Sequence, residues 1–468
     1  MDFSYRGDEA MDFQELENEI FRTVCEIGCA VTAEILTKTD DRLARERNTK
    51  RFRDKGRRGT TVKTRYGDVS VRRHFYIDRE KKKGVYLLDE EIGLSNNTGL
   101  FSANVAELIV QACSRMSFAS AAEFVSEYTG RDISKVGCWN IFQEVAAQIK
   151  EEDLIEPSED GEPEVLFEEA DGVWVDTQDR NKKSGSMEIK MATIYEGWEA
   201  DDPKRLRNKT LIGGYVNSED LRDKVEAVKD VLYGPERNSM VIVNGDGAGW
   251  IDNIEEGTAI RQLDFFHIQK YINRYIKEKD IQKKIRRALR DKKPDRVLEL
   301  IDMYINSLDG QDQKAVENAR KLRSYLDRGD EILSWMDRIQ QPKAPEGIVY
   351  KRGGIQESQN TMISARMKHG KKRWSVKGGC NMAKMLCIMK NGLLEKLIRT
   401  MDCSSPSLKE AVKSDTVLFS ARDNKKHIGK GSKYVEVFAT SVPSLANARS
   451  SISEAMRGII NSYGFSMA

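Results

Sequence analysis

Three acidic residues occupy positions from which their side chains could bind a divalent cation. Asp171 lies in the strand-like stretch EVLFEEADGVWVDTQ, and Asp246 ends the β-branched run NSMVIVNGD. Glu357 begins a helical pattern after two glycines, in GGIQESQNTMISARMKHG. A strand that ends in a carboxylate and leads into a helix places that carboxylate at the carboxyl edge of a sheet, where α/β proteins bind ligands.

Carboxylates are the ligands that metal-assisted phosphoryl transfer requires. Two Mg²⁺ ions about 3.5–4 Å apart can activate an attacking oxygen and stabilise the leaving one. Mg²⁺ takes hard oxygen ligands and keeps several waters, so that a few carboxylates suffice. The glycines beside Asp246 would let a phosphate backbone approach closely. These residue types therefore predict a divalent-cation site.

Each carboxylate also has a structural alternative. Asp176 follows Asp171 by five residues, so strand alternation puts the two on opposite faces and only one of them can bind the ion. A shifted or bulged strand would favour Asp176 over Asp171. Glu357 would be stabilised at a helix start without any ligand, and Gly245-Asp246-Gly247 is compatible with a simple turn.

Asp264 and His267 lie one helical turn apart in LDFFHIQKYI. A carboxylate beside an imidazole could orient a scissile phosphate or a metal-bound water. The alternatives are a satisfied core histidine and a residue that merely begins a helix.

The pattern of apolar residues around these positions predicts an α/β fold. Three strand-like stretches are followed by a helix, a strand ending at Asp246, a second helix and a short strand near Gln262–Phe266. The order β-β-β-α-β-α-β implies a mixed sheet with helices on its faces. For residues 164–468 the sequence predicts four parts. They are a ribonuclease-H-like core over 164–266, an all-α insertion over 267–345, a second core part with the glutamate-bearing helix over 346–400, and a C-terminal region over 401–468.

Positive charge is concentrated before this core. The predicted parts are a charged helical region over 1–58, a small β-meander over 59–100, a helix-turn-helix-like region over 101–150 and an acidic linker over 151–163. Between Arg42 and Gly84 there are 17 Lys/Arg against 5 Asp/Glu, a net charge of +12. With interleaved aromatics, this segment favours contacts with nucleic-acid phosphates over a merely solvated face; Arg57 and Arg58 are its candidate contacts.

Two further segments could contact DNA. In the helix-turn-helix pattern, Ser134 is predicted to cap a second helix buried through Val136, Trp139 and Ile141. Ser134, Lys135 and Cys138 would then face bases in a major groove, although most helical hairpins bind no DNA. The basic residues after Glu357 are candidates for backbone contacts; they are Arg366, Lys371, Lys372 and Arg373. The basic stretch 421–434 suits either a phosphate-contacting loop or a flexible surface loop.

Composition excludes several classes of protein. A hydrophobic share of 39% with 32% charged residues is typical of a soluble globular chain, and no apolar run approaches the roughly 20 residues that a membrane helix needs. The N-terminus lacks a signal pattern, and seven cysteines without a C-x-x-C pair indicate reduced thiols and no structural zinc. We therefore expect a cytoplasmic protein. The motifs of P-loop enzymes, α/β-hydrolases and zincins are missing.

The segments GDGAGWI, LDFFHIQKYI and ESQNTMISARMKHGKKRWSVKGGCNMAKM resemble motifs of the ISLre-type bacterial insertion-sequence transposases. That group is similar to Mutator-type DDE transposases, and the resemblance covers nearly the whole chain. It implies that Asp171, Asp246 and Glu357 are the metal ligands, and that Asp264 and His267 match the signature that follows the second aspartate. The chain departs from the pattern at Gly249 and at Gly378-Gly379-Cys380.

The resemblance implies a transposase that recognises the terminal inverted repeats of its own element. Mg²⁺, with Mn²⁺ as a substitute, would support hydrolysis at the element ends and strand transfer into target DNA. A homodimer or higher homo-oligomer on double-stranded DNA is expected, because two ends must be joined, and no membrane is involved. The alternatives are a domesticated, non-catalytic DNA-binding protein and a structure-selective nuclease on the same fold.

Overall fold

The computed structural model describes residues 13–93, 100–129, 132–178, 184–255, 259–308 and 312–400. The predicted C-terminal region 401–468, with its basic stretch 421–434, lies outside the described residues, as do Gly130 and Arg131 in the predicted helix turn. The chain forms two compact units, which meet along the sequence between Glu144 and Val145.

The first unit combines a long helix, a four-stranded sheet and a helical group. Its elements are α1 (Phe13–Glu46), β1 (Phe52–Thr64), β2 (Gly67–Asp78), β3 (Lys83–Val85), α2 (Leu87–Glu91), β4 (Leu100–Phe101), α3 (Ala103–Arg115), α4 (Phe118–Thr129) and α5 (Lys135–Ala147), whose last three residues belong to the second unit. The sheet order is β3-β2-β1-β4. The charged helix and the β-meander of the sequence analysis are both present, but the meander begins at Phe52 and its first turn lies at Arg65–Tyr66, before Gly67.

The packing of α5 corrects part of the helix-turn-helix prediction. The Oγ of Ser134 accepts the amide of Gly137 at 3.0 Å, as a helix cap should, and Lys135 is exposed. Cys138 is buried and Val136 is exposed, however, so Cys138 cannot face bases. A helix capped at Ser134 turns one stripe inward; its members in the first unit are Cys138, Ile141 and Phe142.

The second unit is a mixed α/β structure around a five-stranded sheet. Up to the last strand of this sheet its elements are α6 (Glu151–Leu154), β5 (Val165–Gln178), β6 (Ser184–Tyr195), β7 (Trp198–Glu199), β8 (Thr210–Tyr215), α7 (Ser218–Tyr233), β9 (Met240–Gly245), α8 (Gly249–Asp252) and β10 (Ile260–Leu263). The order is β10-β9-β5-β6-β8, with β5, β6 and β8 antiparallel and β5, β9 and β10 parallel. The predicted element order and mixed sheet are confirmed.

Helices dominate the rest of the unit. They are α9 (Phe265–Tyr275), α10 (Lys279–Arg290), α11 (Pro294–Ser307), α12 (Gln313–Leu326), a 3₁₀ turn (Gly329–Ile332), α13 (Trp335–Arg338), then, after the short strand β11 (Ile348–Val349), α14 (Gln356–Met367), α15 (Val376–Lys390) and α16 (Leu394–Thr400). The predicted last core strand ends at Leu263 rather than at Phe266, because Asp264 caps α9. No described helix is both long and apolar enough to cross a lipid bilayer.

The acidic segment 151–163 packs onto the second unit at several points. Glu151 is buried and accepts the hydroxyl of Tyr215 at 3.0 Å, and Glu152 pairs with Lys224 at 2.7 Å. The amide of Ser158 donates to the carbonyl of Leu232 at 3.0 Å. A stretch predicted as a linker from its composition is thus held along the second unit by its own carboxylates.

A buried ion pair joins the sheet to α7. Glu168 on β5 and Lys229 on α7 are fully buried, with 2.6 Å between Oε2 and Nζ, and the same ammonium also contacts Glu226 and Glu255. Removing one member of such a pair leaves an uncompensated charge in a medium that solvates it poorly. Lys229 therefore fixes how α7 lies on the sheet.

Replacing Lys229 by alanine is expected to lower the free energy of unfolding by about 3–5 kcal/mol, because Glu168 is left buried without its cation. Urea denaturation followed by circular dichroism measures this loss. Lys224→Ala removes a half-exposed pair and should cost less than about 1 kcal/mol. Equal losses in the free energy of unfolding for the two variants would show that burying the Glu168–Lys229 pair does not increase its contribution to stability.

Candidate metal centre

The carboxyl edge of the parallel strands carries a row of aspartates. The last pairs that join β5, β9 and β10 are Ala170 with Gly245 and Gly245 with Leu263. The residues that follow these three are Asp171, Asp246 and Asp264. The pairing of β5 with β9 stops here, although β5 continues to Gln178 against β6, so the three acidic residues stand side by side where the parallel part of the sheet ends.

Two helices bring further ligands to this row. Ligand atoms of Asp171, His267 and Glu357 all lie within 4.8 Å of one another. His267 comes from the first turn of α9 and Glu357 from the first turn of α14. The structure thus brings together two of the three predicted carboxylates and the predicted histidine, whereas Asp246 is on the neighbouring strand and is not a member of this group.

The electrostatics of Asp171 show that negative charge is crowded here. Burial, followed by the nearby charge of Asp246, raises the pKa of Asp171 to about 6. The amide of Gly172, which donates to Asp171 at 2.7 Å, and the imidazole of His267 oppose this rise, and Glu357 adds to it. A cation at this position would relieve the repulsion between the carboxylates.

Asp264 fixes the orientation of His267. Its carboxylate caps α9 by accepting the amide of His267 at 3.3 Å, and it contacts the ring Nδ1 at 2.9 Å. Because Nδ1 is bonded to Asp264, Nε2 is the ring nitrogen that remains available to the carboxylates of Asp171 and Glu357. Burial lowers the pKa of His267, but the bond to Asp264 and the charge of Asp171 outweigh it, so that the pKa is raised overall.

A buried glutamate anchors α14 to the sheet. Glu169 on β5 accepts the amides of Gly354 and Ile355 at 2.8 Å and that of Gln356 at 3.2 Å. Its carboxylate also accepts from Asn244 at 3.1 Å and from the hydroxyl of Tyr195. Burial raises the pKa of Glu169, against the effect of these donors. An anion at a helix N-terminus satisfies free amides and opposes the helix dipole.

The two glycines before α14 make this approach possible. Gly353 and Gly354 have φ angles of +101° and +105°, a region that side chains rarely adopt. A Cβ at Gly353 would lie 3.1 Å from Glu169, and one at Gly354 would lie 3.3 Å from Asp264. The glycines therefore let the backbone pass close to both carboxylates.

Asn360 ties the next turn of α14 to the site. Its Nδ2 donates to Oδ2 of Asp171 at 2.6 Å, and its Oδ1 accepts from Gln356 at 3.2 Å. Gln356 in turn accepts the hydroxyl of Thr193 on β6 at 2.6 Å. This chain of bonds orients the carboxylate of Asp171 while Glu357, one position after Gln356, stays exposed.

The two candidate aspartates of β5 lie in different surroundings. Asp171 is buried at the carboxylate row, and Asp176 is exposed farther along the strand. Pairing with β6 runs without a break through both positions, so no bulge brings Asp176 to the same face. Of these two aspartates, Asp171 is the one that lies beside His267 and Glu357.

The donor set fits a divalent cation. Carboxylate oxygens of Asp171 and Glu357 suit Mg²⁺ and Mn²⁺, and the imidazole of His267 extends the range toward softer ions. Asp246 accepts the amide of Ala248 at 2.9 Å, which fixes its carboxylate at the adjacent position. Such a group could hold one ion directly and a second beside Asp246.

Sequence reasoning missed Glu169 and Asn360. A signal for Glu169 was available, because EEADG puts charged residues inside a strand that is otherwise apolar, and buried carboxylates need partners. Asn360 follows Glu357 by three residues, which places both on neighbouring faces of a helix. Only the position of α14 shows which acceptor Asn360 reaches.

The predicted DNA contacts on β1 are exposed but already engaged. The guanidinium of Arg57 contacts Asp41, and that of Arg58 lies over the ring of Phe75, 3.8 Å from its centroid. Asp41 neutralises part of the charge of Arg57. Arg58 has the ring of Phe75 rather than a carboxylate as its partner, so its positive charge is not neutralised by that contact.

The basic residues after Glu357 differ in exposure. Lys371 and Arg373 are exposed, and Lys372 donates to the carbonyl of Arg366 at 2.8 Å. Arg366 is buried, with its guanidinium 5.2 Å from the ring centroid of Trp374. The prediction of a surface contact at Arg366 is therefore corrected, because that side chain packs inside the unit.

The chain belongs to the family described as "Uncharacterised protein family (UPF0236)", which matches residues 6–402. A protein of Streptococcus gallolyticus, named "UPF0236 protein in vanSb 3'region", is 27% identical over 394 residues, which cover 82% of this chain and 84% of that protein. A protein of Caldanaerobacter subterraneus subsp. tengcongensis is 25% identical over 396 residues, which cover 82% of this chain and 79% of that protein. Its name, "UPF0236 protein", is followed by designations from TTE0033 to TTE2212.

Protons should compete with a cation at Asp171. With a pKa of about 6, this carboxyl is mostly protonated at low pH and ionised at neutral pH. Because the ionised form is the ligand, the affinity for Mn²⁺ should fall by about tenfold from pH 7 to pH 5 through this group. Isothermal titration calorimetry measures this change in affinity. The control variant Asp176→Asn should show the same fall in affinity as the parent protein. Equal affinity of the parent protein at both pH values would contradict the assignment.

Replacing Glu169 by glutamine should release the start of α14. The side-chain amide of the glutamine would place N–H donors against the backbone N–H groups that now donate to the carboxylate. We expect this to lower the free energy of unfolding by about 1–3 kcal/mol. Hydrogen-exchange mass spectrometry should show faster exchange at 354–356 and little change in β9. Glu188→Gln, at a half-buried surface pair, should leave both segments protected. Unchanged exchange at 354–356 in Glu169→Gln would refute the anchoring role.

Proposed function

We propose that this member of the UPF0236 family is a DDE-type transposase of an insertion sequence. The observation that carries the proposal is the convergence of Asp171 and Glu357 with His267 within 4.8 Å, beside Asp246, at the carboxyl edge of a mixed sheet. Mg²⁺-dependent hydrolysis of DNA phosphodiesters and transfer of the freed strand are the reactions that this residue set suits best.

The sheet supports a ribonuclease-H-like core. Three antiparallel strands are followed by two parallel ones, and the strand that carries Asp171 is a neighbour of the strand that leads into Asp246. The glutamate arrives on a later helix, after the helical insertion that follows Asp264. This arrangement of two strand aspartates and one helix glutamate is what the resemblance of the sequence to DDE transposases implies.

The protein side chains have separate tasks in this proposal. Asp171, Asp246 and Glu357 would hold Mg²⁺, which supplies an activated water and charge stabilisation at the leaving oxygen. Asp264 holds the ring of His267 in place and raises its pKa, so that the ring can carry a proton toward an anionic phosphate. Asn360 keeps Asp171 in the orientation that binding requires.

The first unit would recognise the element ends. Lys135 is exposed at the start of α5, as the base-reading position of a helix-turn-helix requires, and Arg58 is exposed on the basic strand β1. Binding would depend strongly on salt, because phosphate contacts release counterions. The homodimer or higher homo-oligomer that brings two ends together is part of the same proposal.

The name of one relative is consistent with a mobile element. The Caldanaerobacter protein carries eleven designations under a single name. One protein sequence recurring under many designations is what dispersed copies of a transposing element would produce, whereas a domesticated DNA-binding protein has no reason to multiply in this way.

The proposal predicts nicking of a duplex that carries the element's terminal repeat, in the presence of Mg²⁺. Asp246→Ala should reduce the rate by about 10³-fold or more, since groups that act together lose most activity when one is removed. Denaturing gel electrophoresis of an end-labelled duplex measures the rate.

Asp176→Asn, on the exposed part of the same strand as Asp171, is the matched control and should nick at the parent rate. Parent-like nicking by Asp246→Ala would remove the metal role of Asp246. Salt-sensitive binding without any nicking would favour a non-catalytic DNA-binding protein, and cleavage of branched DNA without element ends would favour a structure-selective nuclease.

A further inference from the structure

Helices α9 and α10 belong to a strongly basic part of the helical insertion. Residues 265–290, which form these two helices, contain nine Lys/Arg and two Asp/Glu. Residues 294–326, which include α11 and α12, contain five Lys/Arg and six Asp/Glu. The positive charge is thus confined to one part of the insertion. Helices that need only to be solvated have no reason for such an asymmetry.

The basic side chains of α9 and α10 lie opposite the core of the insertion. Ile268 and Ile272 of α9 are buried, and so are Ile285, Ala288 and Leu289 of α10. Because side chains three or four positions apart share a helix face, the exposed cations form one stripe on each helix. These cations are Lys270 and Arg274 on α9, and Lys283, Lys284, Arg287 and Arg290 on α10.

Most of these six cations are not neutralised within the protein. In the described part of the chain, only Lys283 and Arg287 among them form ion pairs, at 3.8 Å with Asp280 and at 3.7 Å with Asp291. Both cations are 78% exposed, so water screens the attraction. By contrast, three of the five basic residues of α11 and α12 form ion pairs of 2.6, 2.7 and 2.8 Å with carboxylates of the same two helices.

Arg286 joins the two stripes without losing its charge. Its guanidinium donates to the side-chain oxygens of Gln269 at 2.7 Å and of Asn273 at 2.6 Å, both on α9, and to that of Gln282 at 3.2 Å. These three partners are neutral, and Asn273 is itself exposed. The exposed sides of α9 and α10 therefore meet as one basic surface, called the α9–α10 face below.

The α9–α10 face begins at the candidate metal centre. Phe266 is exposed in the first turn of α9, and its ring centroid lies 5.4 Å from that of His267. The ammonium of Lys270 lies 5.5 Å from the centroid of the Phe266 ring. From there the 11 residues of α9 extend for about 16 Å. The basic surface is thus continuous with the residues that would hold the cation.

A metal centre built from carboxylates needs help to hold a polyanion. Asp171, Asp246, Asp264 and Glu357 repel phosphates wherever a bound cation does not neutralise them. A basic surface beside the centre offsets this repulsion and raises the local concentration of an anionic substrate. The α9–α10 face has the charge and the position for that task.

We propose that the α9–α10 face binds the sugar–phosphate backbone of the DNA duplex whose scissile phosphate lies at the metal centre. Its lysines and arginines contact phosphates, which positions the duplex without reading its sequence. The choice of DNA as the ligand rests on the proposed function. The face is separate from β1, from α5 and from the basic residues after Glu357, which are the DNA contacts that the sequence predicts.

Four substitutions on α10 test the proposal. They remove exposed charges and no core contact; they are Lys283→Gln, Lys284→Gln, Arg287→Gln and Arg290→Gln. Fluorescence anisotropy of a labelled duplex of arbitrary sequence, in EDTA and at several salt concentrations, gives the slope of log affinity against log salt. In the α10 variant this slope should become shallower by about 3–4, because each phosphate contact contributes about 0.9.

A matched control removes four exposed charges from α11 and α12. It combines Arg296→Gln, Lys314→Gln, Arg320→Gln and Lys321→Gln. The net charge falls as much as in the α10 variant, but the slope should stay that of the parent protein. Lys270→Gln with Arg274→Gln, next to the metal centre, should make the slope shallower by about 2. Circular dichroism melting checks that all variants fold.

Three outcomes would overturn the inference. A parent-like slope in the α10 variant would mean that this face does not contact DNA. Equal changes in the α10 variant and the control would mean that only the net charge matters. A parent-like slope after Lys270→Gln with Arg274→Gln would separate the bound duplex from the metal centre. Because EDTA prevents metal-dependent cleavage, a protein that nicks no element end in Mg²⁺ would count against the proposed function and leave these slopes unchanged.

Discussion

The carboxylate of Glu169 is the interaction on which the candidate metal centre depends. It is buried in β5, two residues before Asp171, and it accepts three consecutive amides at the start of α14. Without an anion there, these amides would be buried donors with no helical acceptor. Because Glu169 and Asp171 belong to one strand, the bond that holds α14 also sets the distance from Asp171 to Glu357.

The sheet contributes the second constraint, which is register. Unbroken pairing of β5 with β9 and of β9 with β10 places their following aspartates at one edge. A slip of one residue in β5 would turn Asp171 to the opposite face and put Ala170 or Gly172 in its place. The ion pair of Glu168 with Lys229 resists such a slip, since that pair requires Glu168 on the face covered by α7. Glu168 and Glu169 therefore hold β5 in register through bonds on its two faces.

Much of this architecture can be predicted from the sequence, because the pattern of apolar and polar residues along each segment determines it. Apolar periodicity gives the strand and helix order of the second unit, and strand alternation separates Asp171 from Asp176. What periodicity cannot give is the partner of a residue distant in the chain. Asn360 and Glu169 escaped prediction because their acceptors and donors are fixed only when α14 docks. Arg366 and Cys138 were misplaced for a related reason: a charged or polar type does not reveal which side of its helix is covered.

The proposed metal centre requires Asp171 and Glu357 to share a divalent cation. A crystal grown with Mn²⁺ and measured at a wavelength where manganese scatters anomalously tests it most directly. We expect a strong anomalous peak in bonding contact with both carboxylates, close to His267 and beside Asp246. Peaks elsewhere at saturating Mn²⁺, with none between Asp171 and Glu357, would contradict it.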